Sequence, residues 1–173
     1  MTDLELTALH EAGHAVAHAR LGILQDKATI VAADGRAGAS VAEGAGHVWS
    51  AEEAGPMVLA YCAGYAALLA AGHPEEVAAR GCDDDFEEAA ELIGFWCLGG
   101  GLDEWKARAA ALMGAPENVR AVRLVADHLP ERRTLDADYL GVLVELADGD
   151  CTPEEFEQWL GFWGRCRRSD GVA

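Results

Sequence analysis

Three features predict an α+β fold that is mostly helical, with a small β-sheet beside an opening helix that carries a His-Glu-x-x-His motif. Apolar residues recur at helical spacing over most of the 173-residue chain. Two short β-prone runs fall close together between residues 28 and 50, and turn-forming glycines separate them.

The first element covers residues 4 to 21, where Leu6, Leu9, Gly13, Val16 and Ala17 share one face and Gly22 supplies the stop. Ala28 to Ala33 and Gly46 to Ser50 then read as strands. Between them lie glycine-rich turns at Asp34-Gly35, Gly38 and Gly44, so a small antiparallel sheet is expected. Helical patterns follow at 53–71, 84–98, 103–113, 117–129, 135–147 and 153–167. The last is opened by Thr152-Pro-Glu-Glu155, a capping box with proline at the first helical position. Gly99-Gly-Gly101 divides a front part, residues 1–98, from a helical rear part of the same domain, residues 99–173.

Composition narrows the function classes. With 51% hydrophobic residues and 5 prolines, the chain can bury a core without staples. Thirteen Lys and Arg against 30 Asp and Glu give a formal charge of -17, which repels phosphate backbones and anionic membrane surfaces. The one dense basic cluster, Arg165, Arg167 and Arg168, lies at the end of the sequence, so no nucleic-acid partner is expected. The 5 cysteines are odd in number and contain no C-x-x-C pair, which predicts reduced thiols in a cytoplasm. The uncharged stretch from Ala54 to Pro74 is rich in Ala and Gly, and its apolar part is short of the roughly 20 residues of a membrane span. A buried core helix is expected there, and no membrane partner.

His10-Glu11-Ala12-Gly13-His14 carries the chemistry. A spacing of four puts both imidazoles one turn apart on one helix face, where their nitrogens can share one zinc ion at about 2.0 to 2.1 Å. Glu11 then stands beside the metal, where its carboxylate can take a proton from an attacking water. A catalytic zinc keeps three protein ligands, so a third must come from elsewhere. The longer H-E-x-x-H-x-x-G-x-x-H pattern fails, because Ala17 and Arg20 stand at its last glycine and histidine. His18 lies on a similar face but about 12 Å from His10 along a straight helix, too far to share that ion. It reads as a solvent-facing or supporting histidine.

Asp83-Asp84-Asp85 opens a later helix and has two readings. Asp84 or Asp85 can serve as N-cap, with Glu87 or Glu88 closing a capping box. Alternatively, the mutual repulsion of three carboxylates is relieved by a divalent cation, and one of them is the missing ligand. Tyr61, Tyr65, Trp96, Trp105, Trp159 and Trp163 read as core or helix-packing residues, and His73 and His128 as loop or helix-end residues.

Three stretches in order resemble the peptidase domain of the FtsH family of ATP-dependent zinc metalloproteases. They are Leu9-His-Glu-Ala-Gly-His-Ala-Val16, Lys27-Ala-Thr-Ile-Val31 followed by a glycine-rich turn and Gly46-His-Val-Trp-Ser50, and Gly81-Cys-Asp-Asp-Asp-Phe-Glu-Glu-Ala-Ala90. More weakly, Leu129 to Tyr139 is similar to that family's late helix, turn, T-L-D and helix. The resemblance spans roughly residues 5 to 147. It implies Asp85 as the third zinc ligand and a substrate-side strand carrying His47, Val48 and Trp49, while the acidic run itself leaves Asp84 as an alternative ligand. The sequence departs from the family in having no P-loop and no transmembrane anchor.

The function expected is therefore a zinc-dependent metalloendopeptidase that hydrolyses extended or unfolded polypeptides without ATP. Its metal ligands would be His10, His14 and Asp85, its general base Glu11, and its cofactor Zn2+. The alternative is a zinc-retaining peptide- or protein-binding regulatory module with little or no turnover. A protease specific for one partner and a homo-oligomeric assembly also stay open.

Overall fold

The computed structural model describes residues 2–32, 37–42, 48 and 50–169. Helix α1 (Asp3–Leu21) begins where the Thr2 hydroxyl accepts from the Glu5 amide and the Glu5 carboxylate accepts from the Thr2 amide, a full capping box. It ends at Gly22, whose φ of 68° lets its N–H turn back to the His18 carbonyl. After it come β1 (Gln25–Thr29), β2 (Ala39–Ala42), α2 (Ala51–Ala70), the short α3 (Glu75–Ala78), α4 (Asp83–Phe95), α5 (Leu102–Met113) and α6 (Pro116–Arg132). The described chain closes with β3 (Thr134–Asp136), α7 (Ala137–Asp148) and α8 (Pro153–Ser169).

The molecule is mostly helical with one antiparallel three-stranded sheet, ordered β2-β1-β3. The sheet differs from the sequence expectation in where its strands lie. The first strand starts at Gln25 rather than Ala28. The second is Ala39–Ala42, inside what reads as glycine-rich turn. Of the strand expected at 46–50, only Val48 and Ser50 are described; neither is in a strand, and Ser50 caps α2 by accepting from the Glu53 amide. The third strand is Thr134-Leu135-Asp136 from the rear part, so β1 joins residues 105 to 109 positions apart through pairs such as Ala28 with Leu135.

Packing centres on α1. One side of it meets α2, the other meets α6, and β1 and β2 lie alongside. The α1–α2 crossing is built from small residues. A Cβ on Gly13 would come within 2.6 Å of the Ala63 carbonyl oxygen and 2.7 Å of the Ala67 Cβ, so the two backbones approach as closely as only glycine permits. Helix α2 is long and apolar enough by composition to cross a membrane, yet it is packed against α1, α4 and α5 and is buried at positions from Ala54 to Leu68.

Arg20 fastens the far end of α1. Its two terminal nitrogens bind both Asp148 oxygens at 2.6 Å, and its Nε donates to Asn118 Oδ1 at 2.7 Å. That role explains an arginine one turn and a half beyond the His-Glu-x-x-His motif. The largest core cluster runs through both the front and rear parts, from Ala8 on α1 to Phe156 on α8.

Candidate metal centre

Helix α1 carries His10, Glu11 and His14 on its buried side, and α4 brings Asp85 to them. His10 Nε2 and His14 Nε2 are 2.9 Å apart. Asp85 Oδ2 lies 3.2 Å from the first and 3.3 Å from the second. The three potential donor atoms thus make a nearly equilateral triangle. Donors around a tetrahedral zinc with bonds of about 2.0 to 2.1 Å are about 3.3 Å apart, so this triangle fits one face of such a site, slightly contracted. Two imidazoles and a carboxylate are also a chemically suitable set for zinc.

The orientation of the rings supports the same fit. His14 Nδ1–H donates to the Ala60 carbonyl at 2.7 Å, which leaves its Nε2 lone pair aimed into the triangle. His10 Nδ1 lies 3.9 Å from Cys82 Sγ, a weak acceptor whose own S–H donates to the Ala78 carbonyl at 3.2 Å. Burial, helped by Asp85 and Asp83, pushes the Cys82 thiol up to about 12. It pushes Cys62 up to about 11, so both stay protonated and neither supplies a thiolate.

Two ring lone pairs and a carboxylate cannot converge without a cation among them. In the metal-free chain a proton takes that part. Burial disfavours a charged His14, but Asp85, Glu11 and the Ala60 carbonyl outweigh it and raise its pKa to about 9. Burial likewise works against an ionised Asp85, yet hydrogen bonds from His10 and His14 hold its carboxyl well below the ordinary range.

The α4 terminus corrects one sequence reading. Neither Asp84 nor Asp85 is the N-cap: that position is Cys82, with no side-chain cap hydrogen bond, and Asp83 to Asp85 form the first turn. There the Asp85 carboxylate reaches the two histidines, while Asp84 and Asp83 line the cavity beside it. The triangle opens into a cavity of about 550 Å³. Glu11 forms part of the cavity wall and is 6% exposed. Gly38, just ahead of β2, presses on it closely enough that a Cβ there would meet Glu11 Oε1 at 2.8 Å.

Of the residues expected on the substrate side, His47 and Trp49 lie outside the described residues. Val48 is half-buried and belongs to no strand. The strand that does border the cavity is β2, through Ala39 and Ser40. His18 is not solvent-facing: it is 5% exposed and also lines the cavity. His128 is inside α6, where its Nδ1 pairs with the Tyr139 hydroxyl at 2.9 Å. Tyr65 is buried as expected, whereas half-buried Tyr61 contributes to the cavity wall.

Sequence reasoning missed the groups that shape the site from behind. Gly64 on α2 faces the imidazoles so closely that a Cβ would stand 2.6 Å from His10 Cε1, His10 Nδ1 and His14 Nε2. The signal for it was present: Ala60, Ala63, Gly64 and Ala67 form a stripe of small residues at helical spacing, the mark of a close helix crossing. The chain matches no protein-family model and no curated protein.

Proposed function

We propose that the protein is a zinc metallopeptidase acting on extended segments of polypeptide, with His10, His14 and Asp85 as metal ligands. The observation that carries this reading is the convergence of His10 Nε2, His14 Nε2 and Asp85 Oδ2 within 3.3 Å of one another at the wall of an open cavity, with Glu11 beside them. When bound, zinc supplies Lewis acidity that polarises a carbonyl and lowers the pKa of water to about 7. Glu11 takes the proton of the attacking water and delivers it to the departing amine. Its low exposure and the pressure of Gly38 restrict the conformations of its side chain, so the proton acceptor is held in one place.

A purely structural zinc has no use for a carboxylate at Glu11, and a structural site closes its coordination sphere with protein groups. Here the His-His-Asp set opens on a cavity large enough for several residues of peptide. The order β2-β1-β3 leaves β2 at an edge, and an extended substrate pairing with that edge gains affinity from its main chain with little demand on sequence. The resemblance to the FtsH peptidase domain supports the same assignment of the third ligand to Asp85. The cysteine composition supports a reducing, cytoplasmic setting.

Glu11→Gln tests the reading. Glutamine keeps the shape but removes the basic oxygen, so zinc content and folding are retained while hydrolysis of unfolded peptides drops about 10² to 10⁴-fold. Zinc by elemental analysis and cleavage by mass spectrometry read the two effects. Equal inertness of wild type and Glu11→Gln, both fully loaded, would transfer the assignment to a zinc-retaining binding module.

A further inference from the structure

Helix α4 supplies the third candidate ligand from an end that its own residues secure poorly. The N-cap, Cys82, makes no side-chain cap hydrogen bond, and Ala89 is the one residue of the helix that is buried. Asp83, Asp84 and Asp85 crowd three negative charges into the first turn, where the helix dipole favours them but they repel one another. Helix ends of this kind fray unless a packing contact fixes them. Asp85 Oδ2 nevertheless lies within 3.3 Å of both imidazole nitrogens.

The next residue makes that contact. Consecutive helix positions point roughly 100° apart, so while Asp85 reaches α1, Phe86 turns to α2 and α5. Its ring meets Tyr65 on α2 edge to face, with centroids 5.5 Å apart at 77°, and Lys106 Nζ on α5 stands 3.7 Å from its centre. The same ammonium is 5.7 Å from the centre of the Tyr65 ring. Tyr65 is 7% exposed and its hydroxyl donates to Glu75 Oε1 at 3.3 Å, so the ring on which Phe86 leans is itself anchored. A cation is attracted to an aromatic face, more strongly where water is partly excluded, and Lys106 is half-buried. Among the described residues no carboxylate lies within ion-pair distance of Lys106, although the chain has 30 Asp and Glu. The rings are therefore the partners of this charge.

Helix α2 links the cluster to the histidines. Gly64 faces His10 and His14, and Tyr65 directly follows it, so one short segment backs both imidazoles and, through Phe86, the helix that carries Asp85. The Lys106 charge also reaches the surroundings of the centre. At Cys82, burial and the charges of Asp85 and Asp83 raise the thiol, and Lys106 opposes them.

We propose that Lys106 is a positioning residue for the metal centre: its ammonium clamps the Phe86 ring against Tyr65 and thereby holds Asp85 where its carboxylate meets both histidines. This rests on the assignment of His10, His14 and Asp85 as zinc ligands made above. Positioning and plain charge predict opposite signs. A cation near zinc repels it, so deleting Lys106 would tighten zinc if its charge acted directly. Deleting a clamp on Asp85 weakens zinc.

Lys106→Met keeps an apolar stem and removes the charge. Zinc affinity, measured by competition against a chelating dye, should fall about tenfold, in the range found for groups that orient ligands. Lys106→Arg, which also stacks on aromatic faces, should recover most of that loss. In Asp85→Ala protein no third ligand is left to position, so there Lys106→Met should no longer weaken zinc. A general loss of stability would not reproduce that cycle. Circular dichroism reports whether each variant is folded, and Phe86→Leu, which removes the ring instead, takes the place of Lys106→Met in the same cycle if the latter is not. Zinc bound as tightly as in the wild type or more tightly, or an equal loss in the Asp85→Ala background, overturns the clamp. If Asp85→Ala and His14→Ala both leave affinity at the wild-type value, the ligand assignment itself fails and the clamp falls with it.

Discussion

The two ends of the helical core are held together by opposite means. In front, α1 and α2 cross through Gly13, Ala63, Gly64 and Ala67, with backbones nearly in contact. In the rear, α6, α7 and α8 meet through large rings: Tyr139 is fully buried against His128, Phe156, Trp159 and Trp163, with the Arg132 guanidinium 4.4 Å from its ring centre. The rear crossing gains stability from buried area and can yield when one ring changes. The front crossing gains position. It brings the Ala60 carbonyl to His14 Nδ1 and Gly64 to both imidazoles, and no side chain longer than hydrogen fits at either glycine without moving a helix or a ring.

The sharpest break of that contrast is Gly64→Ala. Alanine is the better helix former, so α2 considered alone would gain. In place it would put a carbon 2.6 Å from three atoms of His10 and His14, forcing the rings apart. Zinc affinity should fall by about 10² or more, on the scale of lost ligand orientation, with the far-ultraviolet spectrum little changed. Competition against a chelating dye measures it. Undiminished affinity would show that the crossing has slack and that the geometry of the triangle does not depend on it.

Tyr139→Ala probes the other end. Deleting a fully buried aromatic ring costs about 3 to 5 kcal/mol, and here it also leaves His128 Nδ1 without its partner. Chemical denaturation should show that loss, while the zinc affinity of the remaining folded protein stays at the wild-type value. A coupled loss of zinc would mean that the rear cluster sets the α1–α2 crossing, against the separation of roles drawn here.

How much of this was legible in the sequence differs between the same two regions. The longer helices were readable because apolar spacing and caps such as Thr152 with Glu155 are local signals. His10, Glu11 and His14 were readable for the same reason, being on one helix. Asp85 was reachable only as one of two acidic candidates, because its distance from His10 is a tertiary fact, and the capping rule pointed to the wrong use of it. The sheet was the least legible. Ala39-Ser-Val-Ala42 has little β-propensity, and Thr134-Leu-Asp136 is three residues long and owes its extended form to pairing with β1. The short α3 likewise carries too few residues for a period. Gly64 and His18 were visible as letters, but their meaning came from what packs on them.

Acidity separates the ends in a milder way. His14 has its pKa raised from 6.5 to about 9, so in metal-free protein the stabilising interaction it makes is complete below about pH 6.5 and is lost as pH rises through 9. Asp85 is shifted the other way, so its contribution is present above its ordinary value of 3.8 and is lost as pH falls. The melting temperature of metal-free protein should therefore peak between about pH 4 and 6.5 and decline toward pH 9. On the proposed assignment of His14 as a ligand, saturating zinc takes the place of its proton and should remove the alkaline decline. Thermal scans across pH, with and without zinc, read both limbs, and an alkaline decline that persists unchanged in zinc would argue that the metal binds elsewhere.

The smallest expected effect comes from a glycine that ought to be replaceable. Gly141 lies inside α7 in the rear part, and a Cβ built on it meets nothing within 4 Å. Its backbone is helical, so alanine enters without strain and reduces the entropy of the unfolded chain. Gly141→Ala should therefore stabilise the fold by about 0.5 to 1 kcal/mol, seen as a higher denaturation midpoint with unchanged slope, and leave zinc affinity untouched. Set beside Gly64→Ala, the same chemical change on two helices then has opposite signs, because one glycine faces open space and the other faces two imidazoles. If both substitutions proved neutral, helix propensity alone would account for them, and the close front crossing would no longer explain how the three candidate ligands are held together.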